Sequence, residues 1–202
     1  MSESLVLTFA EIEFLLLARR PVLRKLRETL GLEAMGGGDA VARAGSASLL
    51  ARGLCVYDGE NVVPSPNIVG VIAGLATAEM ATRVVGWVDG ALALVHLLTG
   101  PEIAIVFFAS SQGQFAVRVL DPELSVADQL SRFVDSCLTD GAESAVVIQS
   151  RTAQATVGIA VARDATGAWF VSDSEGNPDS ARPSTRGDVM ARIGELLPAG
   201  AR

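Results

Sequence analysis

Histidine occurs once in the 202 residues, as His96, and cysteine twice, as Cys55 and Cys137. A single imidazole cannot build a His-based metal cluster, and any Ser-His-Asp arrangement would have to use His96 alone. His96 lies inside a strand-like run, so it reads as a structural or surface residue. The cysteines stand far apart without C-x-x-C spacing, which argues against a disulfide framework or a cysteine-built zinc site. They read instead as reduced, buried thiols. The sequence also lacks a G-x-S-x-G elbow and a G-x-x-x-x-G-K-[ST] loop. Gly36-Gly37-Gly38 has neither the dinucleotide-binding glycine spacing nor a convincing strand before it. No catalytic residue, metal or cofactor is therefore expected, and the glycine triplet is left without a role.

Long apolar runs are missing too. Mean hydropathy is +0.39, yet no stretch of about twenty apolar residues is free of charges and turn residues. Met1-Ser2-Glu3-Ser4 carries no cationic segment, and Arg19-Arg20 follows the first apolar run instead of preceding it. A cytoplasmic protein without membrane insertion is expected. Aromatics make up only 5% of a chain that is 50% hydrophobic, which predicts a core of Val, Leu, Ile and Ala with few aromatic anchors. The net charge of −7 repels a phosphate backbone on average, so no nucleic-acid partner is expected.

What is present reads as α+β. A short strand over residues 5–7 precedes Thr8-Phe9-Ala10-Glu11, which has capping-box spacing, and Phe9, Ile12, Leu15 and Leu16 recur at helical period, with Glu11 and Arg19 assigned to the outer face. Pro21 is expected to start a second helix. Asp39 caps a helix over 40–51 that Gly53 closes, a small hairpin turns at Asp58-Gly59, and Ser65-Pro66 opens a helix to about residue 75. Strand patterns follow over 84–88, 92–98, 103–109 and 115–120. Their short connections predict an antiparallel meander. Asp89-Gly90 is a type I′ hairpin signal that would set Trp87 opposite Leu92 and Arg83 opposite His96.

A helix over 125–138 has Val126, Leu130, Phe133, Val134 and Cys137 on one face, with Leu124 stapling its start. Strands near 145–149, 156–163 and 168–172 and a helix over 185–197 end the chain, separated by a turn at 164–167 and a polar loop over 173–186. The whole reads as one α/β domain: a helical part over 1–77, meander plus helix over 78–140, and a second strand-helix unit over 141–202. The two strand-then-helix units suggest a degenerate repeat. An antiparallel sheet with helices packed on it is the expected fold.

Three features receive a functional reading. Asp173, Glu175 and Asp179 could approach a hard cation but lack the EF-hand ligand order, which favours a solvated loop. The helix over 42–51 followed by a hairpin resembles a winged helix, with only Arg43 and Arg52 suited to reach bases. The strand over 102–109 is apolar at both parities, so it is buried on both faces, by helices of the same chain or by a partner.

The segments ARGLCVYDGENVVPSPNIVGVIAGLATAEMATRVVGWVDGALALVHLLTG, EIAIVFFASSQGQFAVRVLDPELSVADQLSRFV, TVGIAVARDATGAWFVSDSEG and GDVMARIGELLPAG resemble, in order and texture, the EspG family of type VII secretion chaperones. The resemblance implies a cytosolic chaperone that holds a helical secretion substrate of the PE–PPE type and shields its apolar tip. No partner-binding residue is carried over from the family. From the residues themselves, the sheet around the 84–98 hairpin and 115–120 is expected to bind protein, as a substrate complex or homodimer, through Trp87, Leu92, Phe115 and Val117. An EspG-like fold in another binding or dimeric scaffolding role, and an acidic winged-helix regulator, are the alternatives.

Overall fold

The structure is a computed structural model that describes residues 4–18, 21–23, 26–88, 90–110, 112–121, 123, 125–138, 143–173 and 180–197. The first part of the chain forms β1 (Leu5–Thr8), α1 (Phe9–Ala18), α2 (Leu26–Thr29), a 3-10 turn over Leu32–Met35, α3 (Asp39–Ala51), β2 (Cys55–Asp58), β3 (Asn61–Pro64) and α4 (Pro66–Thr77). The meander follows as β4 (Met80–Val88), β5 (Ala91–Thr99), β6 (Ala104–Ala109) and β7 (Gln114–Val119). Then come α5 (Val126–Cys137), β8 (Ser144–Thr152), β9 (Thr156–Arg163), β10 (Trp169–Asp173), β11 (Arg182–Ser184) and α6 (Arg186–Glu195). The fold is α+β, with nine strands in one antiparallel sheet and β2 and β3 in a separate two-stranded one. Backbone contacts divide the chain into two compact units that interleave in sequence: Met1–Glu79 with Leu98–Leu120, and Met80–Leu97 with Asp121–Arg202.

In the first unit the strand order is β1-β7-β6, with Leu7 opposite Phe115 and Phe107 opposite Val117. These four side chains are buried, and the rings of Phe107 and Phe115 meet edge to face at 6.2 Å. Helix α4 lies close on this face because Gly70 and Gly74 leave room for Val119 and Ile105. Ala104, Ile105, Val106 and Phe107 are all buried, while Phe108 is 39% exposed, so the double cover predicted for this strand holds over its first four residues and not at Phe108.

The capping box forms as expected: the Thr8 amide donates to Glu11 Oε2 at 2.8 Å and the Glu11 amide to Thr8 Oγ1 at 3.2 Å. The placement of Glu11 on the outer face is corrected. Glu11 is fully buried because Ser48 and Arg52 on and beside α3 donate to its carboxylate, each at 2.8 Å. Helices α1 and α3 can come this close because position 45 is glycine; a Cβ there would overlap the Ala10 carbonyl. Pro21 does not start a helix. It precedes a bend at Val22 and Leu23, and among the described residues helix resumes at Leu26. Arg19 lies outside the described residues.

The second unit has the order β5-β4-β8-β9-β10-β11. Val84 faces Ile148 across β4 and β8, and Ile148 faces Ile159 across β8 and β9. Helix α5 covers this face, with Gly86 so near that an added Cβ would lie 2.9 Å from Cys137 Sγ. Ser125 and Thr185 cap α5 and α6, each accepting from the amide three residues on. On α5, Val126, Leu130, Val134 and Cys137 are buried while Phe133 is half-buried. Gly90 adopts φ +76°, the left-handed conformation that a tight hairpin turn demands. Asp89, its partner in that turn, lies outside the described residues, as do Leu124, Glu175 and Asp179. Strand β11 was not legible in the sequence: it is three residues long and contains Pro183.

Candidate functional site

Strands β4, β8, β9 and β10 alternate regularly, so one parity faces α5 and the other faces away from it. Val84, Val146, Ile148 and Val161 form the covered parity and are buried. The other parity brings side chains into transverse rows. Ala145 stands opposite Ala162, and Ala162 opposite Phe170. Val85 stands opposite Val147, which places Trp87, two residues further on, beside Ala145. One row therefore reads Trp87, Ala145, Ala162, Phe170: two aromatic walls with two methyl groups between them. The next row reads Val85, Val147, Ala160, Ser172.

Trp87 is 56% exposed and Val147 42% exposed, against the usual preference of such side chains for the interior. Trp87 borders a concavity of about 700 Å³ lined also by Gly90, Ala145, Ala162 and Phe170, which reaches Cys137 and Ser144 around the strand ends. Glu143, Arg163 and Asp164 complete its rim. Arg163 has its guanidinium 5.6 Å from the centre of the Trp169 ring and donates to the Gly167 carbonyl. Asp164 Oδ1 accepts from the Thr166 hydroxyl and from the Thr166 and Ala168 amides. These hydrogen bonds, Thr166 first, hold its carboxyl below the usual range. At the far end of the same face stands exposed Arg83, opposite Gln149.

Of the four residues predicted to bind a partner, Trp87 and Leu92 are 56% and 61% exposed. Phe115 and Val117 are corrected to core residues at 2% and 1%, because their parity of β7, between β1 and β6 in the sheet, is the one against which α4 packs. Ala145, Val147, Ala162 and Phe170 were not singled out from the sequence. A signal existed: in β8 both parities from Ala145 to Ile148 are apolar, which leaves apolar side chains on whichever face is uncovered.

The reactive groups are withdrawn from solvent. His96 is buried, neither ring nitrogen has a partner, and burial together with the Arg83 charge pushes its pKa down to about 4. Both thiols are free, and burial raises their pKa values, the opposite of a reactive cysteine. Among the described residues no group of His, Cys, Asp and Glu could hold a metal ion, and no helix is long and apolar enough to cross a membrane. Arg52, one of two arginines suited to a winged-helix reading, is spent on Glu11 and on the Val6 carbonyl. The hairpin β2–β3 offers exposed Asp58 and Glu60, which repel phosphates. No protein-family model matches the chain, and no curated protein matches it.

Proposed function

We propose that this chain is a protein-binding module without catalytic activity of its own, and that it docks its partner on the uncovered sheet face around Trp87. The observation that carries the reading is the exposure of Trp87 beside an apolar row. An exposed indole beside small aliphatic side chains loses ordered-water contacts on association and can keep one polar bond through its N–H, the behaviour of interface hot spots. An apolar concavity with few polar groups fits recognition better than chemistry. Together with the EspG-like order of segments, this favours a chaperone that shields a helical secretion substrate of the PE–PPE type in the cytosol.

Co-expression with a PE–PPE-type pair tests the proposal. A complex that survives gel filtration with the wild-type chain and is lost with Trp87→Ala, while the circular dichroism of the variant is unchanged, is the expected result. A folded Trp87→Ala that retains the complex removes the anchor assignment, and a wild-type chain that stays free of the pair removes the chaperone reading.

A further inference from the structure

We infer that the trough between Trp87 and Phe170 seats a single amphipathic α-helix of the partner, apolar on the face it presents and cationic at the end that meets Glu143 and Asp164. The inference rests on the docking reading above and adds the shape and charge of the occupant.

The width of the trough follows from the sheet. Trp87 on β4 and Phe170 on β10 are three strands apart, and antiparallel strands repeat at about 4.8 Å, so the aromatic walls stand about 14 Å apart. Allowing for the thickness of the rings, the gap matches the diameter of about 10 Å of one α-helix with small side chains. A second sheet would not enter, and an extended peptide would leave most of the gap empty. Between the walls the floor of the first row is low, formed by Ala145 and Ala162; beyond it along the strands stand Val147 and Ala160, then Gln149 opposite Gly158. From Trp87 to Arg83 is four residues of strand, about 13 Å, which is the length of about nine helical residues.

Charge gives the occupant a direction. Glu143 and Asp164 lie on the rim at the Trp87 end. Arg163, the cation of that rim, is engaged with the Trp169 ring and the Gly167 carbonyl on the opposite parity. The other end carries exposed Arg83. The positive N-terminal end of a helix, or a lysine or arginine in its first turn, is stabilised beside the carboxylates, and the negative C-terminal end beside Arg83.

Fluorescein-labelled, helix-stapled peptides with a common leucine–alanine stripe, carrying either lysines or glutamates in the first turn, supply the test by fluorescence anisotropy. The lysine peptide is expected to bind saturably and the glutamate peptide about tenfold more weakly or less. Ala145→Arg fills the floor at an exposed position and is expected to abolish binding, and Glu143→Lys to reverse the charge preference. Circular dichroism controls the fold, and exposed Glu143→Lys carries the test should Ala145→Arg unfold. Failure of the lysine peptide to saturate, equal binding by Ala145→Arg, or indifference of the charge preference to Glu143→Lys overturns the inference. Loss of the PE–PPE-type complex by Trp87→Ala together with its retention by Ala145→Arg sinks the helix trough and leaves the docking reading standing.

Discussion

In the unit formed by Met1–Glu79 and Leu98–Leu120 the buried charged groups among the described residues are the carboxylates Glu11 and Glu13, and each meets an arginine, Arg52 or Arg27, at 2.8 Å. In the unit formed by Met80–Leu97 and Asp121–Arg202 the buried polar side chains Thr82, Ser150, Ser172 and His96 carry no charge at neutral pH. Two ion pairs among its described residues, Arg186 with Asp135 and Arg192 with Asp173, are solvent-exposed. The difference follows from what holds each unit together. Where helix packs on helix around Gly45, a long arginine can reach in from the rim and keep its own charge wet while neutralising a dry carboxylate. Across the inner face of a sheet side chains are short and meet side on, so Thr82 and Ser150 satisfy each other at 2.8 Å and an imidazole without a partner must stay neutral.

Breaking a buried pair should cost the most. Arg52→Met leaves Glu11 uncompensated and is expected to destabilise by about 3–5 kcal/mol, toward the lower figure because Arg52 is itself partly exposed. Adding Glu11→Gln should restore part of the loss, as urea unfolding of both variants will reveal; a single variant as stable as wild type would remove the pair from the account.

The neutral imidazole gives the contrasting test. His96 has a folded pKa of about 4 against an ordinary 6.5, so as pH falls through this window the unfolded chain takes up the proton first. Stability is full above about 6.5 and declines toward 4, by about 3 kcal/mol in all. The His96→Leu variant should lack this component, so the difference between the two stability curves must change between those pH values and become constant above them.

Gly45→Ala sharpens the helix side of the comparison. The added methyl forces α1 and α3 apart and is expected to cost about 1–3 kcal/mol, with a lowered thermal midpoint. The smallest effect on stability is assigned to Trp87→Ala, within about 1 kcal/mol, because more than half of the indole is already in water. An ordinary core tryptophan would cost about 3–5 kcal/mol, so one chemical-denaturation curve separates the two.

Much of the architecture was legible residue by residue. Thr8 and Glu11 announce the start of α1, Ser125 that of α5 and Gly90 a hairpin, because caps and tight turns are satisfied by atoms within a few positions along the chain. Apolar residues at both parities likewise announced the double cover of Ala104 to Phe107 in β6, though not the exposure of Phe108. Pro21 misled, since a residue suited to the first turn of a helix serves equally well ahead of a bend. Strand β11 escaped because three residues around a proline carry no period.

The candidate site was half legible. Trp87, Phe115 and Phe170 all stand in strands of similar texture, yet Phe115 is enclosed in the core and Trp87 is not. The amino-acid order by itself determined which residues share a face of a strand, where helices begin and where the chain turns, since these depend on neighbours within about four residues. Which of the two faces a helix would cover, that Glu11 would turn inward to Arg52, and that Trp87 and Phe170 would stand as walls across two alanines were decided only in the tertiary structure. Those outcomes rest on contacts between residues tens of positions apart, and no local pattern encodes which of two apolar faces remains uncovered.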